Sequence, residues 1–166
     1  HLSLCLNPMK IISSLKKIIN PLIFPKIPEH IAARFIYLDE NSLRQIETSL
    51  KAHYFIDQDA WYSDTNYLSS KEGQEDLQDH LTGRLNNFRS TVIPWLNSVK
   101  PLANAKILEI GCGTGVSTVA LAEQGAKVTA VDIVDESIKV AKERCKIYGL
   151  NAEFLCANAT ELHQRL

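Results

Sequence analysis

Three glycines at alternate positions, Gly111, Gly113 and Gly115, follow directly on the apolar run Lys106-Ile-Leu-Glu-Ile110. A run this short and rich in Ile and Leu reads as a strand buried on both faces. Glycine has no Cβ, so it can take positive φ and lets a ligand approach the main chain. Val116 to Gln124 then predicts a helix, with Gly125 as its stop. Strand, glycine turn and helix N-terminus, in that order, make a nucleotide-type site at the carboxyl end of the strand. The spacing narrows the ligand. Dinucleotide sites want Gly-x-Gly-x-x-Gly, but here the third glycine comes one residue early and Val116 stands in its place. Glu109, two residues before the first glycine, would repel a pyrophosphate and suits a ligand with a cationic amine.

Two later stretches extend the pattern. Residues 125–132 read as a turn, a strand and an acid, and Asp132 lies 21 residues after Gly111. That is close to the interval of about 20 residues at which doubly wound sheets place a ribose-binding acid. Apolar Ile133 follows. Ala152 to Ala157 predicts a third strand, followed by Asn158 and Ala159. Between them, Asp135 is expected to cap a helix running to about Tyr148, with Gly149 as its stop. Right-handed crossovers would set the three parallel strands in the order 3-2-1. The expected fold class is therefore α/β, half of a Rossmann-like doubly wound sheet preceded by a helical region.

Glu109-Ile-Gly-Cys-Gly-Thr-Gly115 resembles the first motif of the class I S-adenosylmethionine-dependent methyltransferases, and the later stretches come in that family's order. Together they cover about a third of the chain. The resemblance implies S-adenosyl-L-methionine as cofactor and methyl transfer to an acceptor as the reaction. Glu109 would hold the methionine end, with the main chain of Gly111, Cys112 and Gly113 passing beneath it and Gly115 closing the turn. Asp132 would bind the ribose, Ile133 would pack on adenine, and Asn158 with Ala159 would meet the adenine edge. The family usually has Asp where this chain has Asn158; an amide oxygen can still accept from the adenine amino group, but its NH₂ must point elsewhere. No catalytic base can be assigned. The competing readings are a non-catalytic Rossmann-like protein and an NAD(P)- or FAD-dependent oxidoreductase, the latter disfavoured by Glu109 and the early third glycine.

The 166 residues suffice for a sizeable core. A net charge of −1 calls for no nucleic-acid partner. The resemblance leaves the methyl acceptor open among small molecule, lipid, protein and nucleic acid, with a small molecule as the first expectation. Cys5, Cys112, Cys145 and Cys156 have no metal-ligand spacing. Cys145 and Cys156 are expected to be buried, as suits a reducing cytoplasm. Met9 is read as the natural start. Residues 9–20 form a basic amphipathic pattern, read first as a helix docking on its own domain and second as a membrane-surface contact. Pro21, Pro25 and Pro28 mark a linker, giving expected divisions at 1–28, 29–100 and 101–166.

Residues 42–53 predict a helix. Trp61, Tyr62 and Tyr67 sit in an aromatic stretch that the resemblance places near a substrate pocket, though core packing is the plainer reading. Leu77, Leu81, Leu85, Phe88, Val92 and Leu96 mark the stripe of a long helix that Pro94 should kink or end. His80 and Arg84 are expected on its solvated flank. The sequence ends at Leu166 where a further helix would begin. The expectation is a truncated product, or a chain whose first strand a partner covers, and poor solubility follows from an open apolar edge.

Overall fold

The computed structural model describes residues 34–54 and 67–164; the segment 9–20, the proline stretch, Cys5, Trp61 and Tyr62 lie outside them. Among the described residues the order is α1 (Glu40–Tyr54), a long helix α2 (residues 71–99), β1 (Lys106–Ile110), α3 (Val116–Glu123), β2 (Lys127–Asp132), α4 (Asp135–Ile147), β3 (Glu153–Cys156) and a 3₁₀ turn, Ala159–Gln164. The three strands are parallel in the order β1-β2-β3, with Ile110 beside Val131 and Asp132 beside Cys156. The molecule is thus α/β, with the expected half of a Rossmann-like sheet.

Strand alternation divides the side chains of the sheet. Ile107, Val128, Ala130 and Phe154 join the main core. There α3 packs on β2, and α4 packs on β2 and β3. The α2 helix packs against α3, while α1 packs against α4 and the first part of α2. On the opposite face Val131 and Leu155 cluster with Ala157 and with Leu162 of the final turn. Leu108 and Ile110 on that face remain 45% and 60% exposed. The expectation of a β1 buried on both sides is therefore corrected: among the described residues, helices cover one face alone. Cys156 is likewise exposed, its thiol donating to the Ile133 carbonyl, whereas Cys112 and Cys145 are buried.

The α2 helix corrects a second expectation. It runs through Lys71–Gln78, a π turn Asp79–Gly83, Arg84–Asn87, a second π turn Phe88–Val92, and Ile93–Val99. Pro94 does not stop it. The proline stands two residues after the end of a π turn, where the ordinary i→i−4 ladder is already interrupted. Two π turns also underwind the helix. Its buried residues are Gly73, Leu77, Leu81, Leu85, Arg89, Ile93 and Asn97, a spacing of four, plus His80. Phe88, Val92 and Leu96 of the expected stripe are only half-buried.

Burial of charge follows from that drift. Arg89 pairs with Glu123 at the end of α3 and donates to the Ile36 carbonyl at 2.8 Å, between the rings of Phe35, Tyr37 and Tyr148. Gln124 adds a two-way clamp on Arg34, accepting from its N–H at 3.1 Å and donating to its carbonyl at 2.9 Å. His80, expected on a solvated flank, packs instead against Tyr54 with ring centres 4.4 Å apart. Arg84 stays outside and pairs with Asp79 at 2.7 Å. On α4, Arg144 is 1% exposed; its Nη2 donates to the His80 carbonyl at 3.1 Å, and Nε and Nη1 find no partner among the described residues. Burial lowers its pKa, and that of His80. No helix among the described residues is long and apolar enough to cross a membrane.

Candidate functional site

The site lies where β1 and β2 end. Gly111, Gly113 and Gly115 all have positive φ, +75°, +50° and +80°, the left-handed region where an L side chain is strained. Their surroundings differ. A Cβ on Gly111 or Gly113 would meet nothing within 4 Å, whereas one on Gly115 would lie 2.9 Å from both Cα and Cβ of Ala141. The first two glycines thus keep a bare, open stretch of main chain. The third lets α3 approach α4. The early third glycine, which argued against a dinucleotide loop, is a packing residue.

Hydrogen bonds hold this loop to the second strand. Gly111 N–H and Cys112 N–H both donate to the Val131 carbonyl, at 2.8 and 3.0 Å. Gly113 N–H donates to Asp132 Oδ2 at 2.8 Å, and Val134 N–H donates to Asp132 Oδ1 at 2.9 Å. One carboxylate therefore ties the glycine loop to the start of α4. Asp135, expected to cap α4, instead occupies its first turn and pairs with Lys139 at 2.7 Å. That ion pair takes its carboxylate away from the helix end, and Val134 holds the capping position with no side-chain bond.

Glu109 is half-buried beneath the loop. Ser117 Oγ donates to its Oε1, and Thr118 Oγ1 donates to its Oε2 at 2.6 Å. Glu109 and Asp132 share a neighbour in Cys112: burial, then the charges of the two acids, push its thiol up to about 12. The cysteine is therefore an inert part of the loop. Ile133 is 67% exposed beside Asp132, as a flat ligand surface would require. Asn158 and Ala159 are exposed after β3, but Asn158 Oδ1 already accepts from Thr160 N–H at 3.1 Å and Thr160 Oγ1 at 2.9 Å.

Tyr67 is half-buried and opens the 3₁₀ turn before α2, where its carbonyl accepts from Ser70 N–H at 2.9 Å. The sequence reading passed over His53. It lies in the last turn of α1 with Nε2 3.2 Å from Ser137 Oγ, and it feels the charges of Glu136 and Asp132. Burial outweighs both acids and lowers its pKa. With Val134, Glu136 and Lys139 it lines a groove of about 680 Å³ beside the Asp132 loop. Ser117 and Thr118 were also missed; two hydroxyls on the first turn of the helix after the glycines were the available signal.

A bare glycine loop after the edge strand β1, with an acid on each of the adjacent strands β1 and β2, is the arrangement of a nucleotide-cofactor site of the Rossmann-like class. Residues 107–165 match the family model described as "Methyltransferase domain". The chain is 46% identical over 60 residues to the ubiquinone biosynthesis O-methyltransferase of Xylella fastidiosa (strain 9a5c), covering 36% of this chain and 23% of that protein. It is 43% identical over 53 residues to the cypemycin N-terminal methyltransferase of a Streptomyces species, covering 32% of this chain and 22% of that one. The chain therefore spans about a fifth to a quarter of the length of these curated relatives. Among solved structures, magnesium protoporphyrin IX methyltransferase from Synechocystis PCC 6803 with bound S-adenosylmethionine is similar at 18% identity and a TM-score of 0.44, over 75% of this chain and 57% of that one. Residues 107–165 are thus similar to part of a methyltransferase domain.

Proposed function

We propose that this chain contributes the cofactor-binding part of an S-adenosylmethionine-dependent methyltransferase whose acceptor is a small molecule. The observation that carries the reading is the 2.8 Å bond between Gly113 N–H and Asp132, which joins a bare loop to a strand-end acid in one site. Fit to the cofactor is supported by the open space above Gly111 and Gly113. Carboxylates line the site, which favours an ammonium over a diphosphate. Glu109 faces the ammonium of the methionine end. Asp132 has lone pairs left for the ribose hydroxyls. Ile133 packs on adenine, with Asn158 and Ala159 at its edge.

When bound, the cofactor supplies an activated methyl group. The residues described here bind and orient it, and in favourable cases orientation contributes about 7–11 kcal/mol to rate. The acceptor end would be a nucleophilic oxygen or nitrogen, since the relatives include an O-methyltransferase and an N-terminal methyltransferase. A reducing cytoplasmic setting agrees with the free thiols of Cys112, Cys145 and Cys156. A second reading, a Rossmann-like protein that binds the cofactor weakly and transfers nothing, draws on Asn158, whose amide oxygen is engaged by Thr160.

Calorimetry of the full chain with S-adenosylhomocysteine and, separately, NADH tests the proposal. Binding of the first alone, lost in Asp132→Ala, is the expected result. Binding of NADH, or of neither, refutes it.

A further inference from the structure

Ser117 and Thr118 do something that helix-opening hydroxyls do not usually do. Ser and Thr at such positions bond to nearby main-chain groups. Here both hydroxyls reach across to one side chain on β1, and each takes a different oxygen of it: Ser117 donates to Glu109 Oε1, and Thr118 to Oε2 at 2.6 Å. Thr118 is wholly buried, and its β-branched side chain has few rotamers. Its hydroxyl is therefore aimed by the packing of α3. Both hydroxyls belong to the first turn of α3, the helix end that carries positive partial charge.

We infer that Ser117 and Thr118 are positioning residues that clamp Glu109 in the orientation from which it receives the ammonium of the cofactor's methionine end. This rests on the cofactor reading given above. A free glutamate has three side-chain torsions, and fixing them on binding costs entropy. Two donors anchored in one helical turn fix them beforehand. They do so without exhausting the acceptor, because a carboxylate has about four lone-pair sites and the hydroxyls use two. The remaining two are available to a charged donor.

The test uses two ligands that differ at the methionine end. S-adenosylhomocysteine carries the ammonium; 5′-methylthioadenosine carries the same adenosine and lacks it. Calorimetry is run on the full wild-type chain, S117A/T118V, the hydroxyl-retaining S117T/T118S, E109Q, and the triple variant E109Q/S117A/T118V. The expected result is a loss of roughly tenfold in S-adenosylhomocysteine affinity for S117A/T118V, about what one charge-assisted hydrogen bond contributes. Affinity for 5′-methylthioadenosine should stay within about twofold, and S117T/T118S should recover most of the loss. In the E109Q background the two hydroxyls should matter no further, because they act only through that carboxylate.

Equal weakening of both ligands overturns the proposal, since it would mean that the hydroxyls merely support the loop. Unchanged S-adenosylhomocysteine binding in S117A/T118V overturns it as well, as does an additional loss in the triple variant. A wild-type chain that binds neither ligand is a different failure: it removes the cofactor reading itself.

Discussion

Gly115→Ala separates what the third glycine does from what the first two do. Two costs arise at this position. The residue sits at φ +80°, where an L side chain costs about 1–2 kcal/mol. Its new Cβ would also lie 2.9 Å from Ala141 Cα and Cβ and 3.4 Å from the Ala141 carbonyl oxygen. The nearest atom is backbone on a helix that cannot step aside alone, so α3 and α4 must part, at an overpacking cost of about 1–3 kcal/mol. The total is about 2–5 kcal/mol. Gly113→Ala at φ +50° carries the strain alone, because nothing lies within 4 Å of its Cβ. Urea unfolding followed by circular dichroism should therefore place G115A well below G113A in midpoint with similar slopes. G115A/A141G should recover only part of the difference, because the clash with the main chain of residue 141 remains. G113A should instead fail in S-adenosylhomocysteine binding, its methyl group filling the open cradle. Equal stability of G113A and G115A would refute the close approach of α3 to α4.

Three further outcomes follow from the buried charges and the site. Glu123→Ala strands the buried Arg89 guanidinium and should cost about 3–5 kcal/mol of unfolding free energy in urea titrations, whereas Arg89→Met with Glu123→Leu should cost much less. His53 and His80 both have pKa values held below the ordinary 6.5, chiefly by burial, and for His80 also by Arg84; Asp76, 3.7 Å from His80, pulls the other way and is outweighed. The unfolded chain therefore takes up protons first, and stability should be fully present above about pH 6.5 and fall as the pH drops toward the folded values. His80→Gln should flatten that slope, and a denaturation midpoint insensitive to pH in this window would contradict the burial argument. Asn158→Asp should tighten S-adenosylhomocysteine binding by up to about tenfold, because the oxygen facing Thr160 stays engaged while the former NH₂ becomes an acceptor for the adenine amino group.

The strand–loop–helix core was legible because its signals are local: glycines at fixed offsets, a stop glycine, an acid at the end of β2. Gly111, Gly113, Gly115, Gly125 and Gly149 all take the positive φ that such positions demand. What escaped was non-local. Lys-Ile-Leu-Glu-Ile reads the same whether one face of β1 is covered or two, since the covering belongs to other elements. Arg89, Glu123 and Arg144 carry charges, and charged residues default to the surface in any reading of a single sequence. Arg89 is turned inward by π turns that shift the buried face of α2 to every fourth residue, which a 3.6-residue period does not anticipate. Asp135 matched a capping pattern, yet Lys139 one turn on competed for its carboxylate and won.

The side of β1 that no helix among the described residues covers has a practical consequence for anyone handling the molecule. Leu108 and Ile110 project there, and Trp95 and Val99 stand out from α2, all in well-formed secondary structure. Dyes such as anilinonaphthalene sulfonate brighten on accessible greasy surface, and that brightness is ordinarily taken as the mark of a loosened, molten state. This chain should light up such a dye while its near-ultraviolet dichroism stays sharp and its unfolding stays cooperative, a fluorescence signature of disorder worn by an ordered fold.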